Sequence, residues 1–185
     1  DREGAEAARF ITGSKERPFF LYLAFHSVHT PLQAKARLIE KYQAKALNTP
    51  GGQTNAVYAA MLESLDDAVG TVLRAVDEAG LADRTAIIFT SDNGGLVLGK
   101  NPPTSNQPLR SGKGSPYEGG VRVPLIVKWP GRTQAGARSG EPVISMDIAA
   151  TLAEALQTPG GTNAITMDGR SLMPVFRDPA ATLGR

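Results

Sequence analysis

The sequence contains no cysteine among its 185 residues. This absence excludes disulfide bonds, thiolate zinc sites and a cysteine nucleophile within the chain, and it leaves the cellular compartment open. No apolar run approaches the roughly 18 residues that a membrane span requires. No run of Lys or Arg occurs, and a net charge of +2 is too small for the basic surface of a nucleic-acid-binding protein. We therefore expect neither a membrane span nor a nucleic-acid partner.

The composition is that of a globular protein, with 41% hydrophobic and 21% charged residues. A length of 185 residues, set against ~150 residues for a typical domain, favours one domain. The sequence begins with Asp1 and not with methionine. We therefore expect the chain to be a piece of a longer protein.

The clearest predicted element is a helix at residues 54–79, where apolar residues recur at i, i+3 and i+4. Thr54 or Asn55 can cap its start, and Gly80 can end it in the left-handed conformation. Weaker patterns predict three further helices at residues 1–11, 32–42 and 147–156.

Three short apolar runs predict strands at residues 18–25, 85–90 and 124–129. The first two flank the long helix, so we expect them to pair in parallel through a right-handed crossover and to be buried on both faces. The sequence therefore predicts an α/β fold with a mostly parallel sheet flanked by helices. Turn chemistry predicts loops at residues 48–52, 94–120 and 160–185.

Polar segments directly follow the first two predicted strands. His26 and His29, the only histidines, follow the first strand, and Asp92 and Asn93 follow the second. Ligands of open α/β sheets bind outside the carboxyl ends of strands, so both segments can face one crevice. The oxygens of Asp92 and Asn93 suit Ca²⁺ or Mg²⁺, although Asp-Asn-Gly-Gly is also ordinary turn chemistry. The alternative to a functional role is that the two histidines are merely packed in the structure or exposed to solvent.

A third candidate is Lys113, which lies between two glycines in the loop at residues 110–120. Glycine neighbours let a lysine approach a bound anion closely, and nearby backbone N–H groups can assist. The GxxxxGK[ST] spacing of a P-loop is absent. The alternative is an exposed lysine in a flexible loop.

Five segments, in this order, resemble motifs of the formylglycine-dependent sulfatases of the alkaline-phosphatase superfamily. They are PFFLYLAFHSVHTP (18–31), TSDNGG (90–95), GKGSPYEGGVRVP (112–124), PVISMDIAATL (142–152) and MDGRSLMP (167–174). The resemblance implies an alkaline-phosphatase-like fold, present in part. It also implies that residues 1–185 form the C-terminal portion of a sulfatase catalytic domain.

The resemblance further implies site residues and an activity, the hydrolysis of a sulfate ester. Asp92 and Asn93 correspond to two ligands of a catalytic Ca²⁺, for which Mg²⁺ is an alternative. Lys113 corresponds to a lysine that contacts the substrate sulfate, and His29 to a histidine beside the leaving-group oxygen. His26 is a weaker candidate behind the site.

The sequence lacks the family's C/S-x-P-x-R motif, whose Cys or Ser becomes the formylglycine nucleophile, and the strand with two metal-binding Asp residues. We expect both in a preceding N-terminal portion, so this chain alone is expected to be inactive and to self-associate through uncovered apolar surface. Two alternatives to a sulfatase are a phosphodiesterase or phosphonate hydrolase of the same superfamily and a non-catalytic fragment or binding module. The expected partner is a sulfated small molecule or sugar, and the resemblance implies a periplasmic or secreted location.

Overall fold

The computed structural model describes residues 1–45, 53–100, 102–156 and 167–184. The chain divides into two compact units. The first comprises Asp1–Thr85 and Asn93–Pro124, and the second comprises Ala86–Asp92 and Leu125–Arg185. The predicted loop at residues 48–52 lies outside the described residues. No helix in the described ranges is both long and apolar enough to cross a lipid bilayer.

Three helices form the body of the first unit, with α1 and α2 packed against the long helix α3. Their bounds are Arg2–Ser14 for α1, Ala36–Gln43 for α2 and Ala56–Glu78 for α3. Helix α3 confirms the sequence prediction at both ends. Asn55 caps it by accepting the Tyr58 N–H at 3.0 Å, and Gly80 follows its end with a φ of 69°.

The core of the first unit joins α1, α3 and the short connection that follows α3. Its buried members are Ile11, Ala75, Val76 and Leu81. Half-buried apolar residues, including Phe19 and Leu21, pack against this cluster. The helical spacing of apolar residues along α3 therefore produces the expected buried stripe. Asp66 and Asp67 lie off it and are exposed.

The apolar segment at residues 18–25 is not a strand, which corrects the sequence prediction. Its side chains alternate between half-buried and exposed, with Phe20 73% and Tyr22 81% exposed. This alternation is the period of an extended backbone with one packed face. A strand also needs hydrogen bonds to a neighbouring strand, and no described residue supplies them to this segment. The predicted burial on both faces and parallel pairing with residues 85–90 are therefore wrong.

The second unit contains a pair of strands, β1 (Ile87–Thr90) and β2 (Leu125–Lys128), as predicted in position. They pair antiparallel, with Ile87 opposite Lys128 and Thr90 opposite Leu125. The expected parallel direction is thus not found in the described residues. Apolar composition predicts that a segment is a strand, but a long connection such as 91–124 is compatible with either direction.

Buried polar side chains tie together the helical part of the second unit. Helix α5 spans Ser145–Ala155, and a short helix α6 spans Met173–Arg177 within the tail predicted to be a loop. The buried carboxylate of Asp147 accepts the N–H groups of Ile144 (2.9 Å) and Arg170 (2.8 Å). The hydroxyl of Thr151 accepts the Leu172 N–H at 2.8 Å. Asp147 is therefore a buried carboxylate in the first turn of α5.

Candidate active site

The loop at residues 94–120 is irregular for most of its length, as predicted, and ends in helix α4 (Glu118–Val121). Two parts of this loop lie against each other through backbone hydrogen bonds. The Lys113 N–H donates to the Gly95 carbonyl at 3.0 Å, and the Gly94 N–H donates to the Gly120 carbonyl at 2.9 Å. Gly119 N–H donates to Arg110 O at 2.8 Å within the same assembly. The structure therefore brings the segment that begins with Asn93 next to the loop that carries Lys113.

Close contact between these two parts depends on five glycines, which we call the glycine cradle: Gly94, Gly95, Gly112, Gly119 and Gly120. A Cβ atom on Gly94 would lie 1.8 Å from the Gly119 carbonyl oxygen. On Gly119 it would lie 2.0 Å from Ser111 O, and on Gly112 it would lie 2.4 Å from Gly95 O. The neighbours are backbone atoms that cannot turn aside, so only glycine permits this packing. These glycines are therefore required for the close approach of one backbone stretch to the other.

Lys113 is half-buried within the cradle, between the buried Gly112 and the exposed Gly114. Gly114 has a φ of 84°, a conformation that favours glycine. Nearby, the Arg110 guanidinium stacks 3.6 Å above the ring centroid of Tyr117. Lys113 is thus held at its backbone, which contradicts the alternative of an exposed lysine in a freely flexible loop.

The two predicted metal ligands lie at the point where the chain leaves β1. Asp92 is exposed and belongs to the second unit, whereas Asn93 is half-buried and begins the second segment of the first unit. Their carboxylate and amide oxygens are the donor types that Ca²⁺ and Mg²⁺ bind. Two side chains are only part of a Ca²⁺ shell of about 6–8 oxygens. In the described ranges, no three His, Cys, Asp or Glu residues cluster as a metal site. The donor set therefore fits a contribution to a hard-cation site.

His29 lies in a turn that immediately follows the extended segment at residues 18–25. The His29 N–H donates to His26 O at 2.9 Å, and the His26 N–H is accepted by Glu3 Oε1 at 3.1 Å. The two imidazole rings are tilted, with centroids 5.7 Å apart. Both histidines are exposed, so the packed alternative is wrong.

The hydrogen bond of the His29 ring determines which nitrogen can act on a ligand. His29 Nδ1 lies 2.8 Å from the Thr30 carbonyl oxygen, which can only accept a hydrogen bond. Nδ1 therefore carries a proton, and in the neutral ring Nε2 is the acceptor. When the ring is doubly protonated, Nε2–H becomes a donor directed away from this backbone contact.

Sequence reasoning missed two residues that hold the cradle, Asn106 and Gln53. The amide of Asn106 bonds to Gly95 and to two further carbonyl groups of the loop. Gln53, just before α3, bonds to Thr104 and Ser105. Thr104 also forms a side-chain hydrogen bond with Tyr58. Burial raises the pKa of Tyr58, and this hydrogen bond partly offsets the rise. A single polar residue in an irregular loop has no periodicity, so no pattern in the sequence pointed to Asn106.

A family model described as Sulfatase matches residues 4–158 of this sequence. The chain therefore belongs to the sulfatase family. This finding confirms the family that the motifs indicated, and four of the five motifs, those at 18–31, 90–95, 112–124 and 142–152, lie within the matched range.

Curated relatives agree with this assignment. A protein named Sulfatase from Formosa agariphila is 41% identical over 173 residues, which cover 88% of this chain and 30% of the relative. The steryl-sulfatase of Mus musculus is 38% identical, with coverage of 95% and 27%. Human arylsulfatase A is 35% identical, with coverage of 88% and 29%. The chain thus spans less than a third of the length of these relatives.

Solved structures confirm the fold. The chain matches Ps i-CgsB in complex with k-i-k-neocarrahexaose with a TM-score of 0.83 and 35% identity, covering 97% of this chain and 38% of that one. PsFucS1 sulfatase from Pseudoalteromonas sp. matches with a TM-score of 0.70 and 28% identity, covering 94% and 33%. The chain has part of the alkaline-phosphatase-like fold of these sulfatases, as predicted.

Proposed function

We propose that the protein containing this chain hydrolyses sulfate esters, and that this chain supplies part of the metal and sulfate site. The observation that supports the proposal is the glycine cradle. It holds the backbone of Lys113 against the segment that begins with Asn93. A cation and hard oxygen donors are thus carried by adjoining segments in a chain of the sulfatase family.

Lys113 is the residue proposed to bind the sulfate. Its ammonium group is a compact positive charge, and its backbone is fixed by the hydrogen bond to Gly95. A fixed cation stabilises negative charge on the sulfuryl oxygens without reorganisation during the reaction. Lys113 therefore has the chemistry to bind the substrate and to stabilise the transition state.

Asp92 and Asn93 are proposed as two ligands of Ca²⁺, with Mg²⁺ as the alternative. The bound cation would offset negative charge on the sulfuryl oxygens. The nucleophile is expected to be a formylglycine in the part of the protein that this chain does not include. Asp92 and Asn93 are consecutive and directly follow the short stretch that leaves β1.

His29 is proposed to donate a proton to the departing alcohol oxygen. The bond from Nδ1 to the Thr30 carbonyl orients the ring, and the doubly protonated ring presents Nε2–H as the acid. An alcohol that leaves as the neutral molecule is a better leaving group than an alkoxide. The proposed role thus concerns the leaving group and not the sulfuryl oxygens.

The substrate is proposed to be a sulfated small molecule or sugar. Two relatives, steryl-sulfatase and arylsulfatase A, are named for sulfate esters of different alcohols. The structural relative Ps i-CgsB was solved with a carrahexaose. These names support sulfate ester hydrolysis as the common chemistry and leave the alcohol open.

The proposal is tested with the full-length protein, matured by a formylglycine-generating enzyme, on an aryl sulfate and an aryl phosphate diester. We expect turnover of the sulfate ester to exceed turnover of the diester. The 185-residue chain alone is the matched control and should show no turnover above a sample without protein, because it lacks the nucleophile. A preference for the phosphate diester would favour a phosphodiesterase. Turnover by the isolated chain would contradict the proposal that this chain supplies only part of the catalytic site.

A further inference from the structure

The side chain of Asn106 lies at the centre of the glycine cradle and contacts three separate stretches of its backbone. Nδ2 lies 2.9 Å from Gly95 O, 3.1 Å from Ser111 O and 3.0 Å from Gly119 O. Oδ1 accepts the Gly95 N–H at 3.2 Å. An amide nitrogen has two N–H donors, so three carbonyl oxygens share them.

These contacts bear directly on Lys113. Gly95 O, which accepts from Asn106, is also the acceptor of the Lys113 N–H. Ser111 O lies two residues before Lys113 in the sequence. Asn106 therefore binds the peptide that anchors Lys113 and the stretch that leads to it.

The fit around Asn106 leaves little room for adjustment. A Cβ atom on Gly95 would lie 2.8 Å from Asn106 Oδ1, and one on Gly112 would lie 2.7 Å from Nδ2. The backbone on both sides of the amide is thus packed directly against it. A shift of the Asn106 side chain would have to move the loop that carries Lys113.

Asn106 is itself anchored to the stretch that precedes α3. Gln53 Oε1 accepts the Thr104 hydroxyl at 2.6 Å and the Ser105 N–H at 3.2 Å, and its Nε2 donates to Ser105 O at 2.5 Å. These bonds fix the two residues before Asn106. A series of hydrogen bonds therefore runs from the start of the long helix to the cradle.

We propose that Asn106 is the positioning residue of Lys113. Its amide sets the place of the Lys113 loop relative to the segment Asn93–Gly95, and this role in catalysis rests on the proposed hydrolysis of sulfate esters. Asn106 acts through Lys113 and does not contact the substrate. The neutral amide is required because it both donates to carbonyl groups and accepts an N–H, which no carboxylate does.

The test substitutes Asn106 in the full-length protein. Asn106→Asp keeps the shape and the acceptor but replaces the donors with a carboxylate facing three carbonyl oxygens. A displaced catalytic group typically costs about 10²-fold, so we expect a loss of this size in kcat/KM. Asn106→Ala removes the donors without adding charge. Its kcat/KM is compared with that of the wild type if the aspartate variant does not fold.

Two controls separate positioning from general destabilisation. Thr133→Val removes a half-buried hydroxyl that binds the backbone at Trp129 in the second unit, and it should leave kcat/KM unchanged. In a Lys113→Ala background, Asn106→Asp should cause less than a threefold further loss. A variant within threefold of the wild type, or losses that multiply in the double variant, would overturn the proposal.

Amide hydrogen exchange provides a readout that does not need turnover. In Asn106→Asp, the N–H groups of Gly94, Lys113 and Gly119 should exchange faster than in Thr133→Val. If the wild type hydrolyses no sulfate ester, the proposed function fails, and this measurement alone decides the role of Asn106 in holding the loop. Equal exchange in the two variants would overturn that role.

Discussion

Two regions of the first unit differ in how their backbone is held, the glycine cradle and the aromatic segment at residues 18–25. In the cradle, backbone hydrogen bonds and the Asn106 amide join both ends of the loop at residues 94–120 to each other and to its middle. In the aromatic segment, one face packs on the core while Phe20 and Tyr22 remain exposed. The cradle is thus held by hydrogen bonds within its own loop, whereas the aromatic segment has more apolar surface than the described residues cover.

Apolar composition and backbone contacts therefore carry different information about which surfaces meet in the folded chain. Glycines that allow carbonyl groups to approach specify their partners through direct backbone contact between two parts of one loop. A run of aromatic and aliphatic residues specifies only that some surface must cover it. Each region leads to one proposed site residue, because His29 follows the aromatic segment and Lys113 lies in the cradle.

The largest expected effect separates the roles of these two residues in the full-length enzyme. Lys113→Ala should lower kcat/KM by about 10²–10³, because it removes a fixed cation facing the sulfuryl oxygens. His29→Ala should lower the rate by about 10²–10⁴ on an unactivated ester, because it removes a proton donor. Both variants are measured on an alkyl sulfate and on a nitrophenyl sulfate.

The leaving group is the internal control of this experiment. A nitrophenolate departs without protonation, so the effect of His29→Ala should shrink on that ester while the effect of Lys113→Ala stays the same. If His29→Ala is equally damaging on both esters, His29 is not the general acid. It would then act as a contact to the sulfate group.

A second experiment breaks the cradle by adding one methyl group. Gly94→Ala places a Cβ atom 1.8 Å from the Gly119 carbonyl oxygen, so the two loop segments must separate. We expect a loss of roughly 3 kcal/mol in the free energy of unfolding, the upper end of ordinary overpacking. Chemical denaturation of the chain measures it.

Gly13→Ala is the matched control, because a Cβ atom on Gly13 meets no atom within 4 Å and the residue lies in α1. This variant should gain up to about 1 kcal/mol from the lower backbone entropy of the unfolded state. Equal effects of the two substitutions would mean that the glycine contacts do not hold the cradle.

The smallest effect concerns the two faces of the aromatic segment. Phe19 contacts Phe10 edge to face, with ring centroids 5.6 Å apart, and it packs on the core. Phe19→Ala should cost roughly 2 kcal/mol, less than the about 3–5 kcal/mol of a fully buried phenylalanine. Phe20→Ala should leave the free energy of unfolding within about 0.5 kcal/mol of the wild type, because Phe20 is exposed.

The exposed face also underlies the prediction that the chain self-associates. Phe20→Ala should reduce the binding of dyes that recognise apolar surface and lower the mass measured by sedimentation at high concentration. A wild-type chain that sediments as a monomer and binds no dye would contradict this prediction.

The sequence predicted those features whose signals are local. The spacing of apolar residues, with Asn55 and Gly80 at its ends, predicted α3 closely, and the motifs predicted the fold class. The direction of β1 and β2 and the state of residues 18–25 depend on partner strands, which composition does not identify. Helix α6 is short, and only Pro174 in its first turn marks its start.

For the candidate site, the sequence indicated the residues that lie in motifs but not the residue that holds the loop. Asp92, Asn93, Lys113 and His29 came from motif resemblance, and their roles remain predictions. Asn106 could not be found because its importance lies in three carbonyl groups that meet only after folding. Residues that hold a loop by side-chain contacts to the backbone give no pattern along the sequence.

The buried pair Asp147 and Thr151 has a consequence for the chain length that can separate α5 from α6. Both residues sit on α5, and each binds an N–H of the stretch that precedes α6, at Arg170 and Leu172. The two ends of the connection from α5 to α6 are thereby fixed independently of its length. Because closing a flexible chain of twice the length costs only about 0.6 kcal/mol more, we expect a change in the number of residues between Leu156 and Arg170 to leave these hydrogen bonds in place.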